Sequence, residues 1–155
     1  VREPEHFFVA IEGNKRVMLR ALEKVRAAGL KNVAFAPEFV DDLTEWFEDG
    51  EADGIYLNFS DPWKKRTANR RLTYRTRLEG YKRICAPGAA LEFKTDNDEL
   101  FSFSLEELAA AGLAAEIVER DLHSSALAEN NIMTEYEEKF TERGKNINFL
   151  RIIFN

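Results

Sequence analysis

The chain has 155 residues, a net charge of −6 and one cysteine, and its length suffices for one α/β domain with a sizeable core. No apolar run approaches the roughly 20 residues of a membrane-spanning helix, and the first residues lack the pattern of a signal peptide, so we expect a cytoplasmic protein. The single Cys85 excludes an internal disulfide and a cysteine-based zinc site, so no metal is expected, and the acidic charge argues mildly against a nucleic-acid partner.

The apolar pattern along the chain predicts strands that alternate with helices. The predicted strands are 7–12, 32–36, 55–59, 90–94, 115–122 and 147–154, and the predicted helices are 15–28, 41–47, 69–84, 98–111 and 134–143. This alternation is typical of right-handed βαβ units, so the fold class is α/β with a mostly parallel sheet. The final two strands lie close together in the chain and predict an antiparallel edge. No linker or repeat divides the sequence, so we expect one domain over 1–155.

Polar residues follow three of the predicted strands. These are Glu12, then Ser60 and Asp61, then Thr95, Asp96 and Asn97. Open α/β sheets bind ligands at the carboxyl ends of their strands, so the pattern predicts a site there. A carboxylate at Glu12 can accept both hydroxyls of a ribose, although an exposed acid at a strand end is an equally good interpretation.

The segment Asn58–Trp63 is more specific. Pro62 has a fixed backbone angle and favours an extended conformation at Asp61, so the carboxylate is held at the strand tip with Trp63 beside it. Such a corner suits a planar base, with a carboxylate for its edge and a ring for its face. The alternative is a simple turn with Trp63 packed in the core.

A concentrated basic segment follows at once. Between Lys64 and Arg83 stand nine lysines and arginines, opposed by Glu79 alone. An acidic protein with one such segment can present a positive face to nucleic acid, and a helix over 69–84 would place Leu72, Leu78, Tyr81 and Ile84 in the core. A solvated helix face explains the charge pattern equally well.

Helix caps compete with function at two further places. Thr134 and Glu137 satisfy the capping-box pattern, and one geometry could serve both capping and binding. Asp96 and Asn97 could cap the following helix. His123 lies outside any metal-ligand spacing and is interpreted as structural.

Several blocks, in order along nearly the whole chain, resemble the signature of bacterial tRNA (guanine-N7-)-methyltransferases. They are Asn58–Trp63, Lys64–Arg66, Arg70–Tyr74, Phe93–Asn97, Asp121–His123 and Asn131–Phe140. The resemblance implies a class I methyltransferase fold of Rossmann-like type, S-adenosyl-L-methionine as cofactor and methyl donor, and a guanine in the tRNA variable loop as acceptor.

The resemblance also implies roles for particular residues. Glu12 and Asn58 would bind the cofactor, and Asp61 would be the central catalytic acid. The substrate-binding residues would be Lys65, Arg70, Arg71, Asp96, Thr134 and Glu137. The chemistry agrees, because guanine N7 carries a lone pair and no proton. Catalysis then needs alignment and stabilisation of charge rather than a general base.

The sequence also departs from the family pattern. The family opens with a strand and a Gly-rich loop, and nothing before Phe7 supplies either, so the domain over 1–155 lacks them and we expect the natural protein to continue upstream of Val1. Lys64 stands where the family usually has proline, and Thr67 where it usually has histidine. Phe39 and Val40 stand where the family tends to have an acid–alanine pair.

Two other functions remain open from the residues alone. An amino-group methyltransferase acting on adenine or cytosine carries a corner that Asp61-Pro62-Trp63 partly resembles. A catalytically silent RNA-binding domain would also use the basic segment. The oligomeric state is not predicted by any pattern in the sequence.

Overall fold

The computed structural model describes residues 4–155, and the chain forms two compact units divided between Asp41 and Asp42. The expectation of one domain over 1–155 stays a prediction. Among the described residues, no helix has the length and apolar character needed to cross a membrane.

The first unit is a βαβ motif. Strand β1 (Phe8–Ile11) leads into helix α1 (Lys15–Ala27), and strand β2 (Val33–Ala36) pairs with β1 in parallel. Asn14 caps α1 by accepting a hydrogen bond from the Arg16 amide, as the sequence predicts. Gly29 follows the helix at a φ of 65°, a backbone conformation that glycine adopts without strain.

The second unit contains a four-stranded sheet and three helices. The strands are β3 (Ala52–Asn58), β4 (Cys85–Thr95), β5 (Ala115–Glu119) and β6 (Asn148–Ile153), and the helices are α2 (Arg75–Ile84), α3 (Asp98–Ala110) and α4 (Glu135–Thr141). The sheet order is β3-β4-β6-β5, with β3 and β4 parallel and β6 antiparallel to both neighbours. The α/β fold class and the antiparallel pairing of the last two strands are confirmed. The strand that runs against the others is not at the edge: β6 is buried almost throughout and lies inside the sheet, whereas half-exposed β5 forms the edge.

The core of the second unit lies where α2 and α3 pack on the sheet. Its fully buried side chains include Leu78, Leu91, Phe93, Phe101 and Ile152. Cys85 is buried as expected, and burial raises the pKa of its thiol to about 11. The predicted inward positions of α2 are confirmed at Leu78, Tyr81 and Ile84, and Leu72 packs against the same core.

Two predicted helices differ in the structure. The helix over 41–47 is only a 3₁₀ turn at Leu43–Glu45, because the Asp42 side chain captures the Thr44 amide and the segment is too short to nucleate a longer helix. The helix over 69–84 begins at Arg75, after 3₁₀ turns over Lys65–Arg70 and an extended Arg71. A helix over 69–84 would have placed Arg70 and Arg77 on one face, but Arg70 lies before α2, so they share none.

Candidate active site

Two loops leave the sheet side by side at the carboxyl ends of β3 and β4. The two strands are parallel neighbours, and Asn58 at the end of β3 is in register with Lys94 of β4. The Phe59 amide donates a hydrogen bond of 2.9 Å to the Lys94 carbonyl. Because β3 and β4 are parallel neighbours, the loops that carry Asp61 and Asp96 leave the sheet at the same edge, as the sequence predicts.

The loop after β3, residues 59–63, has an unusual backbone, and we call it the corner loop. Phe59 has a φ of 53° and Trp63 a φ of 29°, left-handed values that non-glycine residues rarely adopt. Between them, Asp61 presents an exposed carboxylate. The Ser60 hydroxyl oxygen is buried and has no hydrogen-bond partner among the residues described. Strained backbone and an orphaned polar atom concentrate at ligand sites, because the rest of the fold must be arranged to maintain them.

Two neighbouring arginines contact Trp63 of the corner loop. The Arg71 side chain is 4% exposed, and its guanidinium donates hydrogen bonds of 3.2 and 2.7 Å to the Trp63 carbonyl. The same group lies 4.3 Å from the centre of the Phe103 ring. Arg70 is exposed and lies 5.0 Å from the centre of the Trp63 ring, which is itself 37% exposed rather than packed in the core.

Aromatic side chains join the corner loop to the first turn of α4. Tyr136 lies 4.7 Å from Phe59 and 4.3 Å from Phe140, measured between ring centres. Burial raises the pKa of the Tyr136 phenol, and the negative charges of Asp96 and Asp61 raise it further. Sequence reasoning did not single out Tyr136 as a site residue, although an aromatic inside the capping box next to Glu137 was visible in the sequence.

Glu137, the residue after Tyr136 in α4, is completely buried. Its Oε1 accepts from His123 at 2.7 Å and from Asn131 at 2.6 Å, and its Oε2 accepts from Lys94 at 3.2 Å and from the Thr134 amide at 3.3 Å. The Thr134 hydroxyl accepts from the Glu137 amide, so the capping box is confirmed. Burial alone would raise the pKa of Glu137, but these hydrogen bonds and the charge of Lys94 outweigh it and lower the pKa below its ordinary value.

Lys94 and His123 complete this buried network, which comprises Lys94, His123, Asn131 and Glu137. The Lys94 ammonium also donates to the Asn131 side chain and, at 3.0 Å, to the Ile132 carbonyl, so it fastens the segment before α4. The second ring nitrogen of His123 is bonded to the Thr141 hydroxyl, which confirms a structural position for this histidine. Sequence reasoning missed Lys94, because its acidic partner lies 43 residues away and no local charge pattern reveals it.

The remaining predicted site residues are exposed or half-buried. Lys65 lies in the exposed 3₁₀ segment, and Asn58 is the exposed last residue of β3. Glu12 follows β1 in the first unit, where its carboxylate accepts the Asn14 amide at 2.7 Å. Asp96 follows β4 and lies 3.9 Å from the Lys145 ammonium. Asn97 caps α3 through its own side chain, so of the two candidate caps it is Asn97 that serves.

The fold is that of class I methyltransferases. A SAM dependent methyltransferase from Aquifex aeolicus superimposes with a TM-score of 0.59 at 17% identity, covering 95% of this chain and 68% of the other. A geranyl diphosphate methyltransferase in complex with SAM superimposes with a TM-score of 0.60 at 14% identity, covering 97% and 69%. At these identities the likeness concerns the fold, and it confirms the predicted fold class.

Sequence comparison narrows the class to one family. The family model described as "Putative methyltransferase" matches residues 1–150. A relative from Brevibacillus brevis named tRNA (guanine-N(7)-)-methyltransferase is 45% identical over 147 residues, covering 94% of this chain and 69% of the relative. One of the same name from Streptococcus pneumoniae strain CGSP14 is 46% identical over 145 residues, covering 93% and 68%. The chain belongs to the tRNA (guanine-N7-)-methyltransferase family, which confirms the resemblance.

Proposed function

We propose that this protein transfers a methyl group from S-adenosyl-L-methionine to N7 of a guanine in the tRNA variable loop, in the cytoplasm. The observation that carries the proposal is 45% identity, over nearly the whole chain, to an enzyme named for this reaction. The exposed Asp61 lies on a strained loop after β3, and Asp96 follows the neighbouring parallel strand β4; the reaction would use this arrangement. The amino-group methyltransferase and the silent RNA-binding domain have no comparable support.

The residues at the carboxyl ends of the strands fit the cofactor. The orphaned Ser60 hydroxyl and the exposed Asn58 amide offer hydrogen-bonding groups at the tip of β3, and Glu12 offers a carboxylate after β1 for ribose hydroxyls. When bound, the cofactor supplies an electrophilic methyl group on a positively charged sulfonium. In this proposal Glu12, in the first unit, is a cofactor-binding residue, and so is Asn58, in the second unit.

The acids around Tyr136 suit guanine. Guanine presents adjacent N–H donors on its Watson–Crick edge, and the carboxylates of Asp61 and Asp96 are matching acceptors. The O6 atom needs a donor, which the Thr134 hydroxyl can supply while its oxygen caps α4. N7 attacks without losing a proton, so Asp61 aligns the base and offsets the positive charge that the ring acquires.

In the proposal, Glu137 and Arg71 support the site and do not contact the substrate, unlike the roles that the resemblance implies. Both carboxylate oxygens of Glu137 already accept bonds from protein groups, so it supports Thr134 from below rather than contacting the base. Arg71 likewise fixes the corner loop from inside. In the proposal, Lys65 and Arg70 contact RNA phosphates together with Lys64 and Arg66. All four are exposed; Lys64 directly precedes the 3₁₀ segment, and the other three lie in it.

The proposal is tested by incubating the complete protein with labelled S-adenosyl-L-methionine and unmodified tRNA, and mapping the methylated atom by mass spectrometry. Methylation of guanine N7 supports the proposal. Methylation of an exocyclic amine would identify an amino-group enzyme, and tRNA binding with no transfer would identify a silent RNA-binding domain. Moving the acceptor guanine out of the variable loop should abolish transfer.

Calorimetry tests whether Glu12 binds the cofactor. Replacing it with alanine should weaken cofactor binding and leave tRNA binding nearly unchanged, because a ribose-binding carboxylate does not reach phosphate. Glu23→Ala on the exposed face of α1 is the matched control. Unchanged cofactor affinity in the Glu12 variant would make Glu12 an ordinary surface acid.

A further inference from the structure

We infer that Tyr136 is a positioning residue for methyl transfer: its ring holds Phe59, and through Phe59 it fixes the corner loop that carries Asp61. The inference deepens the proposed function and rests on it. Its experiment therefore includes a measurement that does not depend on activity.

The argument begins with the backbone of Phe59. A non-glycine residue at a φ of 53° is strained, and such a conformation persists only where surrounding contacts hold it. The Phe59 side chain packs against the small buried cluster of Leu122, Ile147 and Phe149. Its other ring contact is Tyr136, at 4.7 Å and an interplanar angle of 40°. Removal of the Tyr136 ring therefore leaves the Phe59 side chain held by the cluster alone, while the Phe59 backbone keeps its hydrogen bond to the Lys94 carbonyl.

Tyr136 is itself firmly placed, as a positioning residue must be. Its ring stacks on Phe140, one helical turn later, at 4.3 Å and 20°. The next residue, Glu137, is tied to Lys94 and His123 in the buried network. The contacts therefore run from the buried network to α4, from the Tyr136 ring to Phe59, and along the chain to Asp61, two residues beyond Phe59.

The ring and the hydroxyl of Tyr136 can be separated. The negative charges of Asp96 and Asp61 act on the phenol and raise its pKa, so a direct polar role of the hydroxyl is the competing explanation. Tyr136→Phe removes the hydroxyl and keeps both ring contacts, whereas Tyr136→Leu removes the ring. Because the side chain is 44% exposed, the leucine variant should fold.

The experiment measures kcat, KM for tRNA and cofactor affinity for wild type, Tyr136→Phe, Tyr136→Leu, Phe59→Leu and the double leucine variant. The phenylalanine variant should keep its kcat within about twofold. The leucine variants should each lose about 100-fold in kcat, as for a misplaced reacting group, with cofactor affinity unchanged. The double variant should lose no more than either single variant, because both act through one contact.

The emission of Trp63, measured in a Trp46→Phe background, reports the corner loop without any reaction. It should shift in Tyr136→Leu and not in Tyr136→Phe. Three results would each overturn the inference. They are a loss of kcat in Tyr136→Phe as large as that in Tyr136→Leu, a loss in the double variant equal to the product of the two single losses, and an unshifted Trp63 emission in Tyr136→Leu. A wild-type protein that methylates no guanine would instead refute the proposed function, while the Trp63 comparison still tests the positioning contact.

Discussion

The corner loop with its basic continuation (59–70) and the buried network around Glu137 both consist largely of charged and polar residues from the sequence blocks that carry the family resemblance. In the loop, the charges of Asp61, Lys65 and Arg70 are exposed to solvent. In the network, both oxygens of Glu137 accept hydrogen bonds from buried or half-buried donors. The difference indicates that one sequence signature combines groups available to a substrate with groups that hold them in place, and that burial separates the two.

The same contrast between an exposed and a buried charged group separates two adjacent residues of the basic segment. Arg70 is exposed, whereas Arg71 is buried and bonded to the Trp63 carbonyl. Farther along, Arg75 pairs with Glu107 and Arg83 with Asp49. Arg75 and Arg83 of α2 therefore have acidic partners, whereas the basic residues before Arg71 in this segment are exposed: Lys64, Lys65, Arg66 and Arg70.

The largest effect that follows from the comparison concerns Glu137. Glu137→Gln should lower the free energy of unfolding by about 3–5 kcal/mol, because it leaves the charge of Lys94 buried without its partner. Urea denaturation measures the loss. Glu138→Gln, at the exposed neighbouring position, should change stability by less than about 0.5 kcal/mol.

The loss should also depend on pH. The pKa of Glu137 is lowered in the folded state, so its contribution is fully present above the unfolded value, about 4.3, and disappears as the pH falls through the folded value. The urea midpoints of wild type and Glu137→Gln should therefore converge in acid. Midpoints that stay equally far apart at low pH would mean that hydrogen bonds, not charge, make the difference.

For the exposed side of the comparison, the corresponding change is Asp61→Asn. It should slow methyl transfer by about 100-fold to 1000-fold, as for the loss of one preorganised electrostatic contact, and leave the unfolding free energy nearly unchanged. Single-turnover kinetics measures the chemical step. Asp53→Asn, at an exposed position on β3, is the control. Near-normal turnover of a folded Asp61 variant would remove Asp61 from the mechanism.

Much of the fold could be predicted because it follows from local pattern. The βαβ motif of the first unit, the inward face of α2 and the caps at Asn14 and Thr134 depend on residues close together in sequence. The position of β6 inside the sheet depends on a comparison of burial between distant strands. The short α2 depends on Arg71, which turns inward to the Trp63 carbonyl instead of continuing a helix.

The site was predictable where it depended on strand ends and not where it depended on distant partners. Asp61 and Asp96 could be placed together because parallel strands end at one edge. The burial of Glu137 could not be predicted, since it depends on Lys94 and His123 meeting it from other elements. Tyr136 was overlooked because its neighbour Phe59 lies far away in the chain.

A smaller effect is expected for the exposed start of the basic segment. Replacing Lys64, Lys65 and Arg66 with alanine should reduce the slope of log affinity for tRNA against log salt by about 2 to 3. The reason is that fewer counterions are released from the tRNA on binding when fewer phosphates are contacted. Cofactor affinity, measured by calorimetry, should not change. Wild-type affinity and slope in this variant would place the RNA on another face.

The smallest effect separates Arg70 from Arg71. Arg70→Ala should reduce the salt slope by about 1, the contribution of one phosphate contact, with little effect on stability. Arg71→Ala should leave the slope unchanged, because the guanidinium is already bonded to the Trp63 carbonyl and stands 3.2 Å from Glu99. It should instead lower the unfolding free energy by about 1–3 kcal/mol, since the Trp63 carbonyl loses the donor that the buried Arg71 side chain supplies. Filter binding over a range of salt, with urea denaturation of the same samples, compares the two residues directly. Equal salt slopes for the two variants would mean that the burial of Arg71 does not keep it from RNA, and that the corner loop moves when tRNA binds.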